Sequence, residues 1–285
     1  MKTRMTAIAL VLCAFMLGFA QASHAAEEFK GNWTIRPSKQ PGQVHFGLIH
    51  HRHGGNSQSE SDWPVGEFQG LDLAASPKRD VKFNITRDAG RFDCEGYLKD
   101  AEGAGIFHFV PDGQYPKAMS ALGFSGIDEE MQFAMAVHDV SLDFAKTMKG
   151  EKLSGLDTDM LIAFRIHGVT AQFIREIRAA GLATDDSDKL VAFRIHGVTP
   201  EMVREVRKSG LTVSEDELIA FRIHGVSPEF IAKVEKLGYA HLEPDQLVAM
   251  RIHGVTPEYI ADMKARGLKD LTVDKLVNLR IHGID

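Results

Sequence analysis

The residues best able to do chemistry recur in a box, Arg-Ile-His-Gly, in the second half of the chain. A guanidinium and an imidazole repeated in register could bind a polyanion or an acidic peptide through charge-assisted hydrogen bonds. Alternatively, Arg and His in the last turn of a helix interact favourably with its negative end and its unpaired carbonyls. Repetition in every unit favours this second, structural interpretation. The arginines are Arg165, Arg194, Arg222, Arg251 and Arg280.

The structural interpretation gives each arginine a partner in a neighbouring unit. Acidic residues that could pair with it are Glu201, Glu229 and Glu258, each of which follows a box by a few positions. We therefore predict ion pairs between adjacent units.

A second candidate is a histidine cluster in the first half of the chain. Its members are His45, His50, His51 and His53. Neutral imidazoles suit zinc, copper or nickel, and His51 and His53 would share one face of a strand. The segment that follows, residues 54–62, is polar and contains no cysteine, so it fixes no ligand geometry. A transition-metal site and solvated loop histidines both remain open.

The boxes define an internal repeat. Their histidines are spaced by 29, 28, 29 and 29 residues, and one further step of 29 backwards reaches His138 in a degenerate sixth copy. A fixed period of this length indicates a stack of identical supersecondary units.

Each unit has the signals of a helical hairpin. In one copy, Ser214 and Glu217 form a capping box at the start of a first helix. Gly225 can end that helix in the left-handed conformation, and Ser227 followed by Pro228 begins a second helix. We predict two short helices per repeat.

Helices of about ten residues are marginal alone, so the hairpins must stack around a shared core. This predicts an α-solenoid of 28–29-residue hairpins over residues 111–285, with about five and a half repeats. Positions that vary early in the second helix, such as Phe230 and Tyr259, are either partly buried or candidates for partner contact.

Residues 26–110 show strand-like alternation instead, as in Val44, Phe46 and Leu48. They predict a small antiparallel β domain of five or six strands around Trp33 and Trp63, with a short β-solenoid as the alternative. The fold class is therefore α+β.

The N-terminus predicts export. A basic start, an apolar run and a small-residue site ending at Ala25 are typical of a signal peptide over residues 1–25. Its removal takes away two basic residues and changes the net charge from −6 to −8. An acidic chain argues against a nucleic-acid partner, because phosphates require clustered positive charge.

Familiar catalytic motifs are absent from the sequence. It contains no His-Glu-x-x-His, Gly-x-Ser-x-Gly or phosphate-cradling loop. We therefore predict a protein that is not an enzyme and needs no cofactor. An unrecognised hydrolase would require a cleft at the β/α junction with convergent polar groups.

The boxes Arg-Ile-His-Gly-Val-Thr-Pro-Glu, with the segments 63–71 and 87–90, resemble a group of uncharacterised exported bacterial proteins. Similar repeats also occur as extracytoplasmic tails of some membrane metallopeptidases related to β-lactam sensors. The resemblance implies an envelope location and a sensory or binding role, without catalysis, because the zinc motif of those peptidases is missing.

These observations predict a periplasmic or secreted interaction protein. Its partner would be a protein or peptide of the cell envelope bound on the repeat surface, through the box arginines, Phe230 and Tyr259. The alternative is an envelope metal-binding protein that uses the histidine cluster.

Overall fold

The computed structural model describes residues 29–52, 55–74 and 77–284, without the side chains of 51, 52 and 55. The predicted export signal and His53 lie outside the described residues. The described chain has an antiparallel sheet followed by helices, which confirms the α+β class. The strands are β1 (Lys30–Pro37), β2 (Gln43–Arg52), β3 (Gly55–Pro64), β4 (Arg79–Arg87), β5 (Gly90–Lys99) and β6 (Glu102–Pro111).

The sheet has the strand order β3-β2-β1-β6-β5-β4, and every pairing is antiparallel. Alternate residues of β1 are buried and exposed, because successive side chains of a strand point to opposite faces. One face therefore carries the aromatic core, and a β-solenoid is excluded for this segment.

Trp33 lies at the centre of the buried face. Its indole nitrogen donates to the Glu95 carbonyl at 3.1 Å, and its ring contacts Phe83 edge-on at 5.0 Å between centroids. The two strands beneath it carry glycine: a Cβ would lie 2.7 Å from the indole at Gly105 and 2.8 Å from it at Gly96. Only glycine lets the ring pack this close to the sheet.

Twelve α-helices follow in the described residues. Those in the first position of a hairpin are α2 (Glu129–Val137), α4 (Thr158–His167), α6 (Ser187–His196), α8 (Glu215–His224), α10 (Pro244–Ile252) and α12 (Val273–Ile281). Those in the second position are α1 (Tyr115–Ala121), α3 (Leu142–Gly150), α5 (Ala171–Ala179), α7 (Pro200–Lys208), α9 (Pro228–Lys236) and α11 (Pro257–Ala265).

The helices pack in two rows. From α4 to α12 each first helix contacts the next first helix, and from α5 to α11 each second helix contacts the next second helix. The degenerate copy around His138 is the hairpin α2–α3, and α1 contacts α3 in the same way. No described helix is long and apolar enough to span a membrane.

The predicted caps form the ends of these helices. The Ser214 amide donates to the Glu217 carboxylate at 2.7 Å, and the Glu217 amide donates back to the Ser214 hydroxyl at 3.3 Å. Gly225 has φ of +74°, which ends α8 in the left-handed region, and the Ser227 hydroxyl caps α9.

The sheet and the helices share one core. Phe133 of α2 packs against Phe92, Phe107 and Phe109 of the sheet, and the buried apolar residues form a single cluster through both parts. Cys94 belongs to this cluster, and burial raises the pKa of its thiol, as expected of a core cysteine.

Candidate functional site on the repeat surface

The box arginines tie each repeat to the one before it. In every case Nε donates to the backbone carbonyl of the preceding box histidine or its equivalent, which satisfies a carbonyl left unpaired at a helix end. The bonds run from Arg165 to His138 (2.9 Å), Arg194 to His167 (3.1 Å), Arg222 to His196 (3.1 Å), Arg251 to His224 (3.4 Å) and Arg280 to His253 (3.4 Å).

Four of the five guanidiniums, those of Arg165, Arg194, Arg251 and Arg280, lie over an aromatic ring of the preceding second helix. Arg251 lies 5.1 Å from the ring centre of Phe230, and Arg280 lies 4.8 Å from that of Tyr259. These two rings are only 6% and 8% exposed. Phe230 and Tyr259 are therefore packing residues under the arginines rather than surface contacts.

The box glycine completes this contact. Gly197 has φ of +74°, and a Cβ there would lie 2.9 Å from Nη2 of Arg222. A larger residue would strain the helix end and displace the guanidinium. Packing between repeats therefore explains why the box contains both an arginine and a glycine.

The predicted ion pairs with Glu201, Glu229 and Glu258 do not occur in the described structure. Glu201 pairs instead with Arg204 on its own helix. All three acids sit in the first turn of a second helix, where backbone amides and the cap hydroxyl lower the pKa of each carboxyl. Each box arginine donates instead to a helix carbonyl of the preceding repeat.

The box isoleucines point away from the core, and sequence reasoning missed them. They are 53–56% exposed in all five repeats. We call this set the isoleucine row. Its members are Ile166, Ile195, Ile223, Ile252 and Ile281.

A helical wheel would have found the row. Leu218 and Phe221 are fully buried, and Ile223 follows Phe221 by two residues, which is about 200° around a helix. The box therefore places its isoleucine opposite the buried stripe. A β-branched residue one turn earlier, such as Ile219, is half-buried and widens the apolar surface.

The box histidines lie beside the row. His196 and His224 are exposed, and their carbonyls accept the arginine bonds while their imidazoles reach the surface. Because neighbouring residues on a helix differ by about 100°, Arg and His flank each isoleucine. Along the stack the surface therefore alternates between cation, apolar side chain and imidazole.

Of the histidine cluster, the structure describes the side chains of His45 and His50, and both belong to strand β2 rather than to a loop. His45 Nδ1 lies 3.0 Å from Asp62 and its Nε2 lies 3.4 Å from Glu60, on the outer face of the sheet. Hydrogen bonding to His45 helps to lower the pKa of the Asp62 carboxyl. Both ring nitrogens of His45 thus have carboxylate partners.

His50 lies on the opposite face of the same strand. Its ring packs between Phe29 and Phe133, with centroids 5.0 and 4.9 Å away, and its Nδ1 lies 3.2 Å from the Lys30 carbonyl oxygen. The side chain of His51 and the whole of His53 lie outside the described residues. Among the described residues, no group of three or more His, Cys, Asp or Glu could hold a metal ion.

A cleft of about 420 Å³ lies at the junction of sheet and helices. Its floor is Arg87, which is 8% exposed, stacks on Trp63 at 3.6 Å and pairs with Glu67 at 2.7 Å. Its Nη1 donates to the carbonyls of Ala136 and Val137, both at 2.8 Å. Arg87 thereby fastens the sheet to the end of α2.

The other charged groups of the cleft are also paired. Asp139 accepts from Arg165 and lies 3.9 Å from Arg87. His138 is half-buried, and burial together with Arg87 and Arg165 lowers its pKa. Arg165 and Ile166 line the cleft, so it continues into the isoleucine row.

A groove of about 830 Å³ lies on the outer face of the sheet. It contains an isoleucine, Ile106, that is 54% exposed, and the neighbouring Lys82 and Glu95 pair at 2.9 Å. Ile106 therefore matches the row in exposure but lies among polar groups.

Comparisons with protein-family models, curated proteins and solved structures find no match for this chain. The resemblance to exported repeat proteins therefore stays a prediction from the quoted motifs.

Proposed function

We propose that this protein is a non-enzymatic interaction module that binds a peptide or protein partner on the surface of its helical repeats. In this proposal the hairpins form an α-solenoid, and the isoleucine row is the contact surface. The signal-like N-terminus favours work in the periplasm or outside the cell.

One observation carries the proposal: five isoleucines occupy the same exposed position in five repeats. Single exposed apolar residues are ordinary on protein surfaces, but the same residue exposed at the same position of five repeats is a repeated surface feature. Packing between repeats accounts for Arg and Gly of the box and does not require an exposed isoleucine. A binding role would explain why this position is an exposed isoleucine in each of these repeats.

A peptide-display selection tests this function. Random peptides of about 15 residues would be selected on the purified protein, with removal of clones that also bind the double variant Ile195→Ser/Ile223→Ser. We expect clones that bind the wild type and lose binding to this variant, because each replaced side chain contributes apolar area to the contact.

The matched control is Ile106→Ser, which removes an equally exposed isoleucine from the sheet. Selected clones should bind it as they bind the wild type. Failure to enrich any clone that depends on the row would contradict the proposed function.

A further inference from the structure

The isoleucines occupy one position of successive first helices, so their spacing follows from the packing of those helices. Successive first helices are in contact from α4 to α12, and packed helices lie about 8–10 Å apart. Equivalent side chains on neighbouring first helices repeat at about the same distance, so the five isoleucines span about 35 Å.

Polyproline II geometry matches this spacing best. It rises about 3.1 Å per residue with three residues per turn, so every third side chain returns to one face after about 9 Å. A β-strand turns its third residue to the opposite face. An α-helix repeats its contact face about every 5.4 Å, which places additional side chains between the isoleucines.

The groups between the isoleucines favour the same conformation. Polyproline II has no internal hydrogen bonds, so its carbonyls need external donors. Arg194 and Arg222 are exposed beside the row, as are the imidazoles of His196 and His224. An α-helix, whose backbone is already bonded, would gain less from such donors.

Charge selects the side chains of the partner. An arginine lies next to every isoleucine, whereas the whole chain carries a net charge of −6. The arginine beside each isoleucine places a positive charge next to the row, which attracts a carboxylate and repels a lysine at that point.

We infer that the isoleucine row binds an extended acidic polypeptide in the polyproline II conformation, with an aliphatic side chain at every third position. The inference rests on the proposed function and specifies its partner. One aliphatic side chain contacts each isoleucine, and the intervening carboxylates face the arginines.

A designed peptide tests the inference. The probe is a fluorescent peptide of five copies of Pro-Glu-Leu, titrated with the purified protein and followed by anisotropy. We expect saturable binding that weakens about tenfold in Ile195→Ser/Ile223→Ser and is unchanged in Ile106→Ser. Melting curves of the variants should match the wild type, because all three isoleucines are more than half exposed.

Two peptides test the period and the charge separately. A peptide of the same composition with its leucines at irregular spacing should bind several-fold more weakly, and five copies of Pro-Lys-Leu should bind more weakly still. Equal binding of the regular and irregular peptides would overturn the inference.

Two further outcomes would also overturn it. One is display clones that depend on the row but lack the three-residue period, which would leave the proposed function standing. The other is binding to phosphatidylglycerol vesicles, but to none of the peptides, in a manner that depends on the row. That outcome would assign the surface to anionic lipid instead.

Discussion

In the sheet, Ile106 is the exposed isoleucine of a groove whose neighbours Lys82 and Glu95 pair with each other. In the repeats, an isoleucine of the same exposure recurs in each first helix from α4 to α12. The sheet places its large apolar residues in the core around Trp33. The repeats from α4 to α12 instead keep one isoleucine exposed each time, which is the observation behind the proposed binding surface.

The arginines of the two parts differ in a complementary way. Arg87 of the sheet is almost fully buried and makes several contacts at the junction, with Glu67, Trp63 and two helix carbonyls. Each box arginine of the repeats is more exposed and donates to one helix carbonyl, whereas Arg87 donates to two. We therefore expect Arg87 to contribute much to the stability of the junction by itself, whereas several similar arginine contacts share the stabilisation of the repeats.

Replacing Arg87 should have the largest effect. Arg87→Ala leaves Glu67 without its partner and two helix carbonyls unsatisfied, so we expect the free energy of unfolding to fall by about 3–5 kcal/mol. Urea denaturation followed by circular dichroism measures it. Arg91→Ala, which removes an exposed arginine paired with Asp93, should stay close to wild type. Equal losses in the two variants would contradict the role of Arg87.

Glu151 should rank second. Its buried carboxylate accepts from Arg175 at 2.9 Å and from Arg178 at 3.0 Å, across two repeats. Glu151→Ala should lower the free energy of unfolding by about 2–3 kcal/mol in the same assay, because bonds between charged groups are lost. The exposed Glu205→Ala should leave it unchanged, and a similar loss there would show that burial is not the cause.

A single repeat arginine should matter less. Arg222→Ala removes one bond to the His196 carbonyl, and we expect a loss of about 1 kcal/mol, seen as a melting temperature lower by about 2–4 °C. The neighbouring Ile223→Ser should shift it by less. A larger shift for Ile223→Ser would place the isoleucine in packing rather than at a binding surface.

His138 should add a weak pH dependence. Its pKa is lowered from 6.5 in the folded protein by burial, Arg87 and Arg165, so the unfolded chain takes up the proton first. Stability should therefore fall as the pH drops below about 6.5, and His138→Gln should reduce that slope. Denaturation at pH 7.5 and 5.5 measures it, and an unchanged slope would contradict the assignment.

The sequence predicts local structure well and long-range contacts poorly. Capping at Ser214 and the stop at Gly225 depend on neighbouring residues, so both could be predicted from the printed chain. The partner of Arg222 depends on the distance in space between two repeats. The period of 28–29 residues gives their separation along the chain but not that distance. Arg87 reaches carbonyls about 50 positions away, so nothing near it predicts the contact.

Part of the candidate site could be predicted from the sequence. The position of Ile223 relative to Phe221 predicts exposure once the buried stripe is assigned. His45 and His50 were grouped by proximity in the chain, yet five residues along a strand place them on opposite faces.

The central claim is that, within one box, arginine stabilises the packing of the repeats as well as facing the partner, whereas isoleucine serves binding alone. The most direct measurement compares Arg222→Ala and Ile223→Ser for both melting temperature and affinity for a display-selected peptide. The account predicts that Ile223→Ser keeps the melting temperature and binds several-fold more weakly. Unchanged affinity in Ile223→Ser for every selected peptide would contradict it.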